Sequence, residues 1–318
     1  MYMFKVFIDG RAGTTGLRIE ERLAGRDDVE LLILPQELRK DAAARRSMIC
    51  GSDVTFLCLP DDAAIEAVSL AEGCGAKIID ASTAHRTAPG WVYGFPELSD
   101  ELRDGIKNGS RIAVPGCHAS GFLALVFPLV AAGIMPRDFP ASCFSLTGYS
   151  GGGKGMIAEY TASDRGGYAE FDPYDAPRQY GLSQSHKHLR EMQGIAGLTR
   201  PPVFCPAVAD YYSGMEVTVP VHAAQLKGCP TAGALTEVYR EAYRDQPFIT
   251  VDSDGHEDGF LSANTYSGRD SMQILVTGSD GRLCLTARFD NLGKGSSGAA
   301  VQCMNLALGL EQTLGLYL

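Results

Sequence analysis

The sequence predicts an α/β protein: a doubly wound parallel sheet of Rossmann type, with an α+β domain inserted before the chain's last helix. Three observations carry the prediction. Short strands that are apolar on both faces alternate with helical stretches up to about residue 115. A glycine-rich turn, with Gly10, Gly13 and Gly16, joins the first strand to the first helix. Alternation of apolar and polar residues good enough for an antiparallel or mixed sheet appears only later, in MEVTVPV and RLCLTARF. Parallel sheets bury both faces, whereas alternating strands belong to antiparallel or mixed sheets.

The elements follow in order. Residues 4–8 (FKVFI) read as the first strand, and Leu17, Ile19 and Leu23 mark a helix that stops at Gly25. Residues 29–34 form a second strand ending at Pro35, and 38–48 a polar helix. A strand at 53–59, a helix with an acidic start at 61–72, and strands at 76–81 and 111–114 complete the alternation. Beyond residue 118 the pattern changes. Residues 119–132 form a buried helix, kinked or broken near Pro128, and a Gly/Tyr/Asp-rich loop runs to about 182. A histidine-containing helix follows at 184–194, then strands at 215–221, 272–277 and 282–288, and a final helix at 297–315. The division expected is a nucleotide-binding domain of residues 1–117 plus 297–318 and a catalytic and oligomerisation domain of residues 118–296.

Composition narrows the class. The 318 residues are 45% apolar and 21% charged, with a formal net charge of −10. An acidic chain is a poor partner for nucleic acid or anionic membrane, so an anionic ligand needs local cations. The N-terminus, MYMFKVFIDG, lacks a secretory pattern, and no apolar run reaches the ~18–20 residues that span a bilayer. Nine cysteines, with no CxxC pair, read as reduced thiols of a cytoplasmic protein. No metal is expected.

The glycine turn is spaced GxxGxxG, one residue off the usual dinucleotide fingerprint. Glycine lets the backbone approach a pyrophosphate, which then sits on the helix N-terminus; the alternative is a turn with no ligand. NAD sites place an acid after the second strand to hold the ribose hydroxyl. Here that stretch reads Pro35, Gln36, Glu37, Leu38, Arg39, Lys40. No acid caps the strand directly and two cations lie close by, which favours NADP and its 2′-phosphate.

Cys117, in VPGCHASGFLALVF, stands where a strand ends in Pro-Gly and an apolar helix begins. A thiol at a helix N-terminus is biased toward thiolate, the form that attacks a carbonyl carbon. The histidines His186 and His188, in SQSHKHLREMQ, are candidates for its acid–base partner. Placed on one helix they cannot share a face, so one of the two is expected to reach the thiol, and Glu191 is spaced to orient His188. Arg86, with Ser82 and Thr83, follows the fourth strand, where doubly wound sheets bind ligands. Ser150 and Gly151 to Gly153 supply a run of backbone donors beside Lys154. His256 and the 160–182 loop suggest no role.

The ordered set FIDGRAGTTGLRI, STAHR…GWVYGFPEL, VPGCHASG, TGYSGGGKG, SHKHLREM and DNLGKGSSGAAVQCMNLALGL resembles the shorter form of the N-acetyl-γ-glutamyl-phosphate reductase family over essentially the whole chain. That family is similar in plan to aspartate-semialdehyde dehydrogenases. The resemblance implies NADPH-dependent reduction of N-acetylglutamyl phosphate to the semialdehyde and phosphate, within arginine biosynthesis. It implies Cys117 as nucleophile, Arg86 toward the substrate, and His186, His188 and Glu191 in the acid–base segment; Ser82 and Ser150, read above as anion donors, are expected to join Arg86 at the substrate. Gly10, Gly13, Thr14, Thr15, Gly16, Arg39, Gly151, Asn291 and Lys294 fall toward the NADP(H) cofactor. Many relatives carry Pro where this chain has Arg190; a proline there only marks a helix start. A homodimer or homotetramer acting on a small acyl phosphate is expected. Two other readings compete: a related enzyme acting on aspartyl phosphate or a phosphorylated sugar aldehyde, and a non-catalytic NADP-sensing protein with an unreactive Cys117.

Overall fold

The structure, a computed structural model, describes residues 2–165, 171–279 and 281–318. Residues 166–170 of the glycine- and tyrosine-rich loop singled out above lie outside the described residues. The chain divides into two compact units: Met1–Gly116 with Ser296–Leu316, and Cys117–Gly295 with Tyr317–Leu318.

The first unit opens with β1 (Phe4–Asp9), α1 (Thr14–Leu23), β2 (Val29–Leu32), α2 (Ala42–Cys50), β3 (Val54–Leu57) and α3 (Asp61–Leu70). It continues with β4 (Lys77–Asp80), β5 (Val92–Tyr93), α4 (Asp100–Asn108) and β6 (Arg111–Ala113). All six strands are parallel, in the order β2-β1-β3-β4-β6-β5. Period-two alternation sends neighbouring residues to opposite faces, and both faces are buried. Val6, Phe56 and Ile79 join one core, while Phe7, Leu57 and Ile78 join the other. Helix α4 has no counterpart among the expected elements. Its signature is nonetheless local: Ser99 Oγ accepts from Leu102 N at 3.2 Å, and two acids open its first turn.

The second unit contains α5 (Cys117–Ala131), β7 (Ser142–Gly148), α6 (Gly153–Thr161), β8 (Arg178–Gln179), α7 (Leu189–Ala196), β9 (Val203–Ala209) and β10 (Met215–His222). It ends with α8 (Ala232–Ala242), β11 (Ile249–Asp252), β12 (Met272–Ser279) and β13 (Arg282–Phe289). Its seven strands form one mixed sheet, β11-β12-β13-β10-β7-β9-β8. Helix α9 (Gly298–Ala307) then returns to the first unit and packs Val301, Cys303 and Met304 into its core.

Four expectations need correction. Helix α5 runs on through Pro128 rather than breaking there. Proline removes the N–H that would bond the carbonyl four residues back, which is Ala124; the Tyr243 hydroxyl donates to that carbonyl at 2.6 Å. The last helix stops at Ala307, not near residue 315, because Gly309 takes a left-handed conformation (φ +71) that ends it. The HKH stretch precedes its helix: His188 caps α7 and His186 lies before it. Finally, Cys50 and Cys74 form a disulfide, so the nine cysteines are not all thiols. Cys50 ends α2 and Cys74 lies just after α3, which packs against α2, a neighbourhood that their spacing of 24 residues does not reveal.

Candidate functional site

In the first unit the glycine turn does what its residue type requires. Gly10 has φ +86, and a Cβ there would lie 2.2 Å from the Cys58 carbonyl oxygen. A Cβ on Gly16 would lie 2.7 Å from the Gly10 carbonyl oxygen. A side chain at Gly10 would push the end of β1 from the segment after β3, and one at Gly16 would push α1 from the turn that precedes it. Beside this turn is a cavity of about 590 Å³, walled by Leu32 to Gln36 on one side and by Gly10, Arg11, Gly13 and Cys58 to Pro60 on the other. Arg11 and Arg39 are among its lining residues. Apolar walls, glycine backbone and two cations fit the adenosine end of a phosphorylated dinucleotide. Arg11, which also pairs with Glu20 at 2.6 Å, had no sequence signal beyond its place in the turn.

Asp9 ends β1 and also lines the cavity, yet it is buried. Burial raises its pKa, and Arg45 works against that rise. The Arg45 guanidinium sits 2.9 Å from Asp9 Oδ2 and 2.5 Å from Glu66 Oε2. Among the described residues, the one acid that lines the cavity is thus paired with a buried guanidinium rather than left as a bare anion. Thr14 opens α1, and Thr15 Oγ1 lies 3.3 Å from Ser296 Oγ; neither threonine lines the cavity.

The segment after β4 is held by one carboxylate. Asp80, fully buried, accepts from Ser82 N at 2.8 Å and Ser82 Oγ at 2.7 Å, and its Oδ2 is 2.6 Å from His85 Nδ1. The His85 ring stacks on Trp91 with centroids 4.1 Å apart. Arg86 follows, with Nε donating to the Val114 carbonyl at 2.9 Å. Ser82 therefore positions the loop, a use its hydroxyl alone does not announce.

In the second unit Cys117 is the half-buried first residue of α5. A Cβ on Gly295 would come within 2.9 Å of Cys117 Cβ, so glycine is required there for the cysteine to sit where it does. His118, next along the helix, is 3% exposed; its Nδ1 meets Ser145 Oγ at 2.7 Å and its Nε2 meets the Tyr180 hydroxyl at 2.6 Å. Burial, and then the neighbouring His186, pull the His118 pKa down to about 3, so it is a neutral link. Burial, and then Cys117, raise Tyr180 above the ordinary tyrosine value, so its hydroxyl keeps its proton.

Both candidate histidines reach this cluster. The rings of His186 and His188 lie 5.7 and 5.4 Å from that of His118 and 4.6 Å from each other. The premise that the two share one helix does not hold, because His188 caps α7 and His186 precedes it. His186 Nδ1 accepts the His188 backbone N–H at 3.2 Å, which puts the proton of a neutral His186 on Nε2. Glu191 is buried, 3.9 Å from His188 Nε2. That separation is longer than a hydrogen bond, and it is an ion pair only when His188 is protonated. Tyr180 was missed by sequence reasoning because β8 is two residues long and shows no period.

The 148–153 turn is also fixed from within the unit. Asn291 Nδ2 donates to Ser150 Oγ at 3.0 Å, and Asn291 Oδ1 accepts from Gly214 N at 2.9 Å. A Cβ on Gly151 would lie 3.5 Å from Asn291 Nδ2 and from Thr147 Oγ1. Lys294 is buried, its Nζ 5.1 Å from the Phe248 ring. Asn291 and Ser150 thus form an internal tie, a role the motif DNLGKG does not itself disclose.

Known proteins resemble this chain in both units. The family model described as semialdehyde dehydrogenase, NAD binding domain, matches residues 36–106. The one described as semialdehyde dehydrogenase, dimerisation domain, matches residues 117–291. An N-acetyl-γ-glutamyl-phosphate reductase 2 of Nostoc sp. is 45% identical over 322 residues, covering 98% of this chain and 99% of that protein. Among solved structures, aspartate semialdehyde dehydrogenase II of Vibrio cholerae, complexed with ASA, superposes with a TM-score of 0.72 at 18% identity. That match covers 97% of this chain and 99% of the other. Aspartate semialdehyde dehydrogenase of Candida albicans, with NADP, gives 0.63 at 15% identity, covering 96% and 98%. At such identities the structures speak for the fold.

Proposed function

The chain belongs to the N-acetyl-γ-glutamyl-phosphate reductase family, and from that premise we infer its reaction. It reduces N-acetyl-γ-glutamyl phosphate with NADPH to N-acetylglutamate semialdehyde and phosphate, a step of arginine biosynthesis. The observation that carries the reading is Cys117 at the start of an apolar helix, with His118, His186 and His188 grouped at one place.

In this scheme the Cys117 thiolate attacks the acyl carbon. A C–S bond forms, the C–O bond to phosphate breaks, and phosphate leaves. Backbone N–H groups at the start of α5 hold the oxyanion. The bound dinucleotide supplies the hydride that takes the thioester to the aldehyde level. His186 or His188 protonates or hydrogen-bonds the oxygen of the resulting hemithioacetal, and takes back any proton it gave as the C–S bond breaks and the thiolate is released, with Glu191 steadying His188. Arg86, Ser82 and Ser150 are assigned to the substrate, and the phosphate needs such a cation. Gly10, Gly13, Thr14, Thr15, Gly16, Arg39, Gly151, Asn291 and Lys294 are assigned to the cofactor. Arg39 at the cavity supports the phosphorylated dinucleotide.

Self-association belongs to the same reading, as a homodimer or homotetramer. Its support is the dimerisation-domain match and the exposed Phe144 and Val203 on neighbouring strands β7 and β9. Among the described residues no helix is long and apolar enough to cross a membrane. The biosynthetic step supports a cytoplasmic location. The test is phosphate-dependent reduction of NADP by purified protein with N-acetylglutamate semialdehyde, set against aspartate semialdehyde. Preference for the second aldehyde overturns the substrate assignment.

A further inference from the structure

Arg178 is placed by strand register on the same side of the sheet as the cysteine and histidines. In β9, Phe204, Pro206 and Val208 share one face, by the period of two. The Phe204 ring lies 5.3 Å from His118 and 5.2 Å from His186, which identifies that face. Residues paired across strands point the same way. Ser145 pairs with Pro206, and Tyr180 N donates to the Pro206 carbonyl, so Ser145, Pro206 and Tyr180 form the row that holds His118. Thr147 and Arg178 both pair with Val208, forming the next row on the same face.

The guanidinium of Arg178 is held by aromatic rings. Its Nε donates to the Tyr160 hydroxyl at 3.1 Å, and its Cζ lies 3.9 Å from the Tyr174 ring centroid and 5.0 Å from that of Tyr160. Arg165, on the same loop, is saturated by Asp172, Asp175 and Asp210. Among the described residues Arg178 instead makes its contacts with neutral rings, which fix the plane of the fork.

We propose that Arg178 binds the α-carboxylate of the acyl substrate and so selects its chain length; this rests on the reaction inferred above. Two residues along a strand span about 6.6 Å, the separation between the Tyr180 row beside Cys117 and the Arg178 row. In an N-acetylglutamyl group four carbon–carbon bonds of about 1.5 Å each separate the reacting carbon from the α-carboxylate, roughly 5 Å when extended. The phosphate hangs directly on the reacting carbon and does not reach this row. An aspartyl group is one bond shorter and brings its carboxylate less close.

The experiment compares two aldehydes with NADP and phosphate: N-acetylglutamate semialdehyde and 4-acetamidobutanal, which lacks only the carboxylate. Wild type favours the first. In Arg178→Gln the ratio of the two kcat/KM values falls by about 10–100-fold, as expected when a charged hydrogen-bond donor is lost. The fall is carried by KM for the first aldehyde. Arg178→Lys keeps part of the selectivity, and it carries the comparison if the Gln variant does not fold. An unchanged ratio, an equal loss on both aldehydes, or a rise confined to the phosphate KM overturns the assignment. Wild-type protein that turns over neither aldehyde overturns the reaction itself, and this subsite with it.

Discussion

The Tyr180 hydroxyl lies 2.6 Å from His118 Nε2, and the other ring nitrogen of His118 lies 2.7 Å from Ser145 Oγ. This chain of neutral groups ties edge strand β8 to the residue beside Cys117. Removing the hydroxyl leaves a buried ring nitrogen without its partner, which costs about 1–3 kcal/mol. Tyr180→Phe is therefore expected to lower stability by that amount and kcat/KM by about tenfold or more, since Cys117 loses a fixed neighbour. Urea unfolding and steady-state kinetics check both; unchanged values for the two would show the hydroxyl to be idle.

His118 makes stability depend on pH in a definite direction. Its pKa in the folded protein is about 3, against 6.5 for an ordinary histidine. Between those values the unfolded chain binds a proton that the folded chain does not. The His118 contribution is thus complete above 6.5 and is lost as pH falls, by about 1.4 kcal/mol per unit. Denaturation of wild type and His118→Gln between pH 6.5 and 4.5 should differ in slope by about one proton. Parallel curves would mean that His118 is protonated in the folded state.

Cys117→Ser is expected to lower phosphate-linked NADP reduction by about a thousandfold or more, because a hydroxyl without a paired base is a far weaker nucleophile. The variant should keep its melting temperature and its NADP affinity. Turnover near the wild-type rate would rule out the thioester scheme.

Arg45 pairs with Asp9, which lines the first unit's cavity. Arg45→Met leaves a buried carboxylate unpaired, with an expected loss of about 3–5 kcal/mol and a higher KM for NADP. Adding Asp9→Asn should recover much of the stability. Glu66 is 56% exposed, so Glu66→Gln should cost little by comparison. Chemical denaturation of the set decides the matter; equal losses in the single and double variants would contradict the pairing.

Tyr243 supplies the hydrogen bond that Pro128 removes from helix α5, at the Ala124 carbonyl. Tyr243→Phe should cost about 1–3 kcal/mol in wild type and clearly less beside Pro128→Ala, where the helix can make its own bond. A double-mutant cycle measured by urea unfolding reads the coupling, and strict additivity would dissociate the two residues.

The sequence by itself determined the parallel sheet, the glycine turn and the start of the cysteine-bearing helix. Each is a local pattern: runs apolar on both faces, glycine where a Cβ has no room, and an apolar helix opening at Cys117. It also supplied the ordered motifs that carry the family. Tertiary structure alone decided what meets what. Spacing put His186 and His188 on one helix and so apart, whereas a turn brings both rings to His118. The Cys50–Cys74 disulfide, the Tyr243 bond to Ala124 and the facing of Arg178 are equally non-local. The physical reason is the same in each case. Side-chain periodicity is written within a few residues of chain, but which residues become neighbours depends on strand register and helix packing across the whole unit.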